Sequence, residues 1–320
     1  MQFSQPRLNI CVLGGTGFVG TELVSQLAAA GHWVRVPTRK LAHGKHLSVL
    51  PTVQLVVANV HEPRVLGELL AGTDVAVNLV GILNERGGAR FEDVHVELVA
   101  RLVEEARLAH VPRLLHMSSL GAGEAAPSRY LRSKAQGEAR IKAGARPLDF
   151  TIFRPSVIFG PGDSLTRRFV SLLRLARGFM PLARSRARFA PVYVDDVVAA
   201  FVRALRDRTT FGQTLELCGP DVLTLEQIVR ASAAAAHARC HILRLPDVLG
   251  RLQGLALGLL PGKPFSLDNF RSLTLDSLCT QNGFASLGIE PQRMAALLPT
   301  YLGELSLPAH LDRLRTGVER

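Results

Sequence analysis

A doubly wound parallel α/β sheet, followed by a smaller and mostly helical C-terminal region, is the fold that three observations predict for this 320-residue chain. Strand-like apolar runs alternate with amphipathic helical segments through the first half. Each of those runs is unbroken, as strands buried on both faces must be. The first run opens into a glycine-rich turn, Gly14-Gly15-Thr16-Gly17-Phe18-Val19-Gly20, that leads straight into a helix. A composition of 47% apolar and 20% charged residues is that of a folded chain, since a disordered one is poorer in apolar residues.

Leu8 to Leu13 reads as the opening strand and Thr21 to Ala30 as a helix with its apolar residues on one side. Trp33 to Val36 and Val53 to Ala58 read as strands, Val65 to Ala71 as a helix and Val75 to Val80 as a strand. Val94 to Ala109 is a long helix, Leu114 to Met117 a strand, Tyr130 to Ala143 a helix and Phe150 to Arg154 a strand. After Pro155 the rhythm changes, and Gly160-Pro161-Gly162 punctuates the chain. The expected division is therefore a first domain over residues 1–157 and a second region over 158–320. Pro191 to Ala204, a short strand running into a helix, is expected to carry residues 191–205 back to the first domain. Beyond it a strand is expected near Thr214 to Leu217 and a helix near Thr224 to Ala235.

Cys11, Cys218, Cys240 and Cys279 stand far apart, without the two-to-four-residue spacing of a metal site or redox pair. Reduced thiols in a reducing cytoplasm are expected, with Cys11 and Cys218 as small buried hydrophobes. Met1 to Leu8 carries no signal or transit pattern, and no run approaches a membrane span, so the expected location is cytoplasmic. Leu252 to Leu260, interrupted by Gly254 and Gly258, reads as a buried helix, with lipid or partner contact as the alternative. His95, His110 and His116 lack metal-ligand spacing and read as packed or surface residues; no metal is expected. The adjacent Asp195 and Asp196 could form a paired-carboxylate site, but their side chains point apart, so one of them reads as a helix start. The net charge of +11 is concentrated at Arg167, Arg168, Arg174, Arg177, Arg184, Arg186 and Arg188. With Phe169, Leu172, Leu173, Leu175 and Leu182 interleaved, part of this stretch reads as a basic amphipathic helix. Such a helix lies on a membrane surface, docks on a partner, or is simply solvated. Nucleic-acid binding is set aside, because the arginines lack aromatic interleaving and a recognised motif.

The glycine run carries the most specific chemistry. Glycine there allows a tight turn, close backbone approach to a pyrophosphate and close packing of helix on strand. The amides and dipole at the helix start, near Thr21, then face the phosphates. Three glycines alone are weak evidence; after a strand, before a helix and within a βαβ order, they outweigh a ligand-free turn. At the end of the second strand, where a carboxylate would hold the ribose 2′-hydroxyl of NAD, the chain has Thr38-Arg39-Lys40. Those cations favour a 2′-phosphate, Arg39 ahead of Lys40 because its planar fork binds phosphate at two points. NADP(H) is expected ahead of NAD(H), the alternative being a basic turn indifferent to the distinction. Tyr130 and Lys134 share a helix face. A lysine cation beside a phenol is expected to lower its pKa, and Ser118 or Ser119 at a strand end would polarise a carbonyl.

The glycine run, Ser118-Ser119 before Tyr130-Leu-Arg-Ser-Lys134, Phe153-Arg-Pro-Ser-Val-Ile-Phe-Gly-Pro-Gly-Asp163 and Pro191-Val-Tyr-Val-Asp-Asp196 resemble the extended and atypical short-chain dehydrogenases/reductases, Rossmann proteins. With Pro261-Gly262 and Asp268-Asn269, nearly the whole chain resembles the family of the dinucleotide-binding accessory subunit of respiratory complex I and its bacterial relatives. The resemblance implies that Gly14, Gly17 and Gly20 meet the pyrophosphate, with Gly15, Thr16, Phe18 and Val19 in the same cofactor loop. It implies Arg39 and Lys40 at the adenosine phosphate, and Asn59-Val60 near adenine, where relatives often have an acid. Val80, Gly81 and Ser118 would line the cofactor, Lys134 would hold the nicotinamide ribose, and Pro155 to Val157 would lie beside the nicotinamide. The ten residues Leu120 to Arg129 are a shorter loop than sugar-nucleotide epimerases and dehydratases have there. Two functions are implied. One is a cofactor-holding accessory factor linked to complex I or ubiquinone metabolism, peripheral on the inner membrane face. The other is an active reductase or epimerase/dehydratase-type enzyme with Ser119, Tyr130 and Lys134 as its catalytic group.

Overall fold

The structure, a computed structural model, describes residues 6–144, 147–259 and 265–303. Two compact units are present: Met1–Arg154 with Val197–Glu216, and Pro155–Asp196 with Leu217–Arg320.

In the first unit β1 (Asn9–Leu13), α1 (Phe18–Ala29), β2 (Trp33–Thr38), β3 (Val53–Val57), α2 (Pro63–Leu70) and β4 (Val75–Asn78) open the fold. A π-helical turn, Glu92–Glu97, runs into α3 (Leu98–Leu108), followed by β5 (Arg113–Met117), α4 (Arg129–Gly144) and β6 (Asp149–Pro155). The sheet order is Gln213–Leu217, β6, β5, β4, β1, β2, β3, and β1 to β6 pair in parallel. Ile10, Cys11, Val12 and Leu13 are all buried, as a central strand covered on both faces requires. The thiol of Cys11 is accordingly pushed up to about 12 by burial. Val99, Leu102, Val103 and Ala106 make one stripe of α3, which packs with Leu66, Leu69 and Leu70 of α2 on Leu13, Ala76, Leu114 and Ile152. Each such leucine contributes about 1.5–3 kcal/mol by leaving water. Strand order reverses between β1 and β4, so the turns leaving those two strands share one edge of the sheet.

The helix Val194–Ala204 begins with Asp195 and Asp196 in its first turn, the helix-start placement read from the sequence. Arg113 ties the segment after it into the first unit. Its buried guanidinium donates to Ala204 O at 2.8 Å and to the hydroxyls of Thr151 and Thr210 at 2.6 and 2.9 Å.

The second unit packs the helix Leu165–Leu175 against Leu225–Ala235, which starts in a Thr224/Gln227 capping box. Leu173, Met180, Leu182, Leu225, Val229 and Ala233 form its buried cluster. Short ribbons complete it: Phe179–Ala183 with His241–Leu245, Ile158–Phe159 with Val192–Tyr193, and Arg188–Phe189 with Leu223–Thr224.

Three expectations need correction here. The basic helix ends at Leu175, because Arg177 and Gly178 take left-handed φ values of 52° and 96°; Arg184 and Arg188 lie beyond it and pair with Asp247 and Asp276. The helix Asp247–Leu259 does form, but Val248, Leu249, Leu252 and Leu255 are exposed. Its packed face is the glycine face: Gly250 meets Phe270 and Ala183, and Gly254 meets Leu267. Leu260 and Pro261-Gly262 lie outside the described residues. Cys218 is not a free hydrophobe; it forms a disulfide with Cys279, 61 residues away. Such a bond persists in oxidising compartments, and in a reducing one the pair stands as neighbouring thiols. Among the described residues no helix is long and apolar enough to cross a membrane.

His95 and His116 are packed, as expected, while His110 is exposed. Burial, reinforced by the charge of Lys134, pushes His95 down to about 2 and His116 to about 3. In the unfolded chain each titrates near its ordinary value of about 6.5. Below that pH the unfolded state binds protons that the folded state refuses, so this stability is present above about pH 6.5 and lost on acidification. Urea unfolding is expected to show a midpoint that falls from neutral pH toward pH 4, with a shallower fall for His116→Gln; parallel profiles for the two proteins would contradict it.

Candidate functional site

The turn between β1 and α1 is built from glycines for steric reasons. Gly14 has φ of +80°, and a Cβ there would stand 2.9 Å from the Leu79 carbonyl carbon and 3.0 Å from Val80 N. At Gly20 a Cβ would meet Gly14 O at 2.2 Å, and at Gly15 it would meet Val36 Cγ1 at 2.8 Å. Gly17 N donates to Gly14 O at 3.0 Å, and Gly17 O accepts from Thr21 N at 2.8 Å. Gly17 is the N-cap of α1, which therefore starts three residues before the expected Thr21. No side chain caps the helix and no acid lies in its first turn. Its leading amides and positive dipole end are thus left for an anion. Gly17 is exposed, Thr16 and Phe18 are half-buried, and Val19 points into the core.

Arg39 and Lys40 are exposed just past β2, in a turn fixed by Thr38 Oγ1 donating to Lys40 O at 3.0 Å. The chain then folds over the glycine turn, bringing Gly44 close to Thr16 and placing His46 Nε2 3.2 Å from Thr21 Oγ1. Lys45 and His46, which periodicity left unassigned, therefore join Arg39 and Lys40 beside the turn. Arg39 also acts electrostatically on His61, whose carbonyl accepts from Arg101 at 2.9 Å. Asn59 is spent on its own turn, donating to Glu62 Oε1 at 2.8 Å and accepting from His61 N at 3.2 Å. Val60 packs against the core.

Ser119, Tyr130 and Lys134 come together. The loop Leu120 to Arg129 folds tightly, with Ala122 N on Ser119 O and Ala126 N on Gly123 O, each at 3.1 Å. Tyr130 hydrogen-bonds with Ser119. The expected lowering of the phenol by Lys134 is not what the structure gives: burial raises Tyr130, and only the Ser119 bond pulls it back. Tyr130 is therefore protonated at neutral pH and suited to donate a proton. Lys134 is buried, donates to Met117 O at 3.1 Å, and is pushed down to about 8 by desolvation, so it stays a cation near neutrality. Its Nζ lies 3.2 Å from where a Gly81 Cβ would stand, so a side chain at Gly81 would crowd the ammonium. Val80 N donates to Asn78 Oδ1 at 3.1 Å, which fixes the start of that loop. Ser118 Oγ is buried with no partner among the described residues, which leaves Ser119 as the serine at the phenol. Pro155 ends β6; Pro155 and Val157 belong to the second unit, where Val157 O accepts from Val192 N at 3.0 Å. Among the described residues no group of histidine, cysteine or acid is placed to hold a metal.

The glycine turn that a methyl group would fill, the uncapped helix start and the buried ammonium fit a dinucleotide with a pyrophosphate and a ribose to hold. Comparison with known proteins agrees. Residues 10–218 match the NAD dependent epimerase/dehydratase family. The chain is 32% identical over 301 residues to NADH dehydrogenase (ubiquinone) 1 alpha subcomplex subunit 9, mitochondrial, of Arabidopsis thaliana, covering 88% of this chain and 74% of that protein. It is also 32% identical to the ceramide reductase of Caulobacter vibrioides over 74% of each. The UDP-glucose 4-epimerase of Thermotoga maritima superposes with a TM-score of 0.73 over 96% of this chain and 100% of that one, at 18% identity, a likeness of fold. On sequence match, strand order and the phosphate-ready turn alike, the chain belongs to the NAD dependent epimerase/dehydratase family.

Proposed function

We propose that this chain holds NADP(H), in preference to NAD(H), as an accessory factor linked to respiratory complex I or to ubiquinone metabolism. The observation that carries the reading is the uncapped start of α1 behind glycines that no side chain can replace, with Arg39 and Lys40 and no carboxylate at the end of β2. Similarity to the subunit 9 relative supports the accessory role. In this reading Lys134 donates to the nicotinamide ribose, and Val80 and Gly81 line the cofactor.

A second reading is an active reductase or epimerase/dehydratase-type enzyme, favoured by the Ser119–Tyr130 bond and by similarity to the ceramide reductase. The bound nucleotide would supply or accept hydride. Ser119 would donate a hydrogen bond to a carbonyl oxygen, and protonated Tyr130 would pass its proton to that oxygen as hydride reached the carbon. Purified protein is expected to retain nucleotide and to bind NADPH about tenfold or more tightly than NADH, a preference that Arg39→Ala removes by deleting charged hydrogen bonds. Equal preference in both proteins would contradict the NADP assignment. In the accessory role Tyr130→Phe leaves nucleotide retention intact and no turnover exists to lose; carbonyl- or quinone-dependent oxidation abolished by Tyr130→Phe would establish the enzyme instead.

The helix Leu165–Leu175 supports a peripheral place on the inner, cytoplasmic membrane face. Leu172 and Leu175 are exposed beside Arg167 and Arg174, and the helix Asp247–Leu259 adds four exposed apolar side chains. Exposed leucine beside arginine is the composition that enters an anionic interface. Sedimentation with phosphatidylglycerol vesicles, but not with phosphatidylcholine vesicles, is expected, and Leu175→Asp with Arg174→Glu should abolish it. Unchanged sedimentation of the double variant would end this part of the reading.

A further inference from the structure

We infer that His95 is a positioning residue that fixes Tyr130 and Lys134 against the loop leaving β4, an inference that rests on the nucleotide-site reading. His95 is buried, at 2% exposure, and belongs to the π-helical turn Glu92–Glu97. A π turn interrupts the regular α-helical hydrogen bonding and is found frequently at functional sites. Here it aims the imidazole into the angle between the β4 loop and α4. Nε2 accepts the Ile82 N–H at 3.0 Å, so in the neutral ring the proton must sit on Nδ1. Nδ1 then donates to Ser133 Oγ at 2.8 Å, and Ser133 Oγ donates in turn to Tyr130 O, also at 2.8 Å. Each ring nitrogen is thereby used once, in the one order the donors allow.

The faces of the ring are used as well. Phe91 stacks on it at 5.5 Å and the Tyr130 ring meets it edge-on at 5.6 Å. The backbone follows the same plan: a Cβ at Gly137 would meet His95 O at 2.2 Å, so α4 lies directly on the π turn. Ile82 is the neighbour of Gly81, whose Cα faces Lys134 Nζ. One imidazole therefore touches the β4 loop, the phenol ring and the helical turn that carries both Tyr130 and Lys134. Burial beside Lys134 and His116 keeps it neutral, which preserves the acceptor that Ile82 needs. His95 touches no reacting atom, and its effect passes through Tyr130 and Lys134.

Three variants separate this from ordinary packing. His95→Phe keeps an aromatic ring between Phe91 and Tyr130 and removes both hydrogen bonds. His95→Gln keeps an acceptor for Ile82 N–H. Ser133→Ala leaves the ring in place and deletes only the Nδ1 partner. Two readouts are taken well below the melting transition: NADPH affinity, and the ultraviolet titration of Tyr130 obtained as the difference from the matching Tyr130→Phe protein. His95→Phe is expected to weaken NADPH about tenfold, the scale of one buried hydrogen bond, and to move Tyr130 back toward an ordinary phenol as water reaches it. His95→Gln should stay within about twofold of wild type, and Ser133→Ala should shift both readouts the same way as His95→Phe but less. Wild-type values in His95→Phe, or a loss in His95→Gln as large as in His95→Phe, would overturn the inference. Should His95→Phe not fold, Ser133→Ala decides, and unchanged readouts there overturn it. If wild-type protein binds no nicotinamide nucleotide, the functional reading fails, and the Tyr130 titration alone still tests the role of His95.

Discussion

The backbone of Gly14 lies so close to that of Leu79 and Val80 that no side chain fits between them, and the rest of the site depends on this contact. It exists because β1 and β4 are neighbours at the point where the strand order reverses. The chain leaving β1 must turn away at once, and a left-handed residue with no Cβ lets it. That turn delivers Gly17 as a cap without a side chain, so no side chain competes for the leading amides of α1, which have no partner within the helix. A glycine cap costs the helix only roughly a few tenths of a kcal/mol relative to serine or aspartate. A structure that keeps it gains a place for an anion.

The same economy runs through the other wall of the site. Gly81 leaves room for the Lys134 ammonium, Gly137 lets α4 settle on the His95 carbonyl, and Lys134 reaches across to the end of β5. Lys134 and His95 are tolerated in this buried wall because each meets a specific partner: Lys134 has Met117 O, and His95 has Ile82 and Ser133. Tyr130 is held by Ser119 and by ring contacts, with burial setting its proton affinity more strongly than its lysine neighbour does. The pair is arranged to keep a proton on the phenol and a charge on the amine at neutral pH.

Much of the first unit was legible in the sequence because a strand buried on both faces must be apolar throughout and a crossover helix must show a stripe. Both signals are local, and β1 to β6 with α1 to α4 carry them. The glycine turn was legible for the same reason, since its spacing is a local steric demand. What escaped depends on distant residues. The Cys218–Cys279 bond joins positions 61 apart. The strands of the second unit's ribbons are two to five residues long, too short to show a period. The helix Asp247–Leu259 turned its glycines inward because Phe270 and Leu267 approach it there, which leaves its leucines outside. His95 read as one more packed histidine, because a π turn has no sequence period of its own.

The central claim is that the pyrophosphate of a nicotinamide nucleotide lies against the leading amides of α1. Nitrogen-15 amide spectra of the protein titrated with NADPH test it directly. The account predicts that Gly17, Phe18 and Val19 shift first and furthest, with Thr16 and Gly81 following. Saturable binding that leaves those three amides unmoved would contradict it.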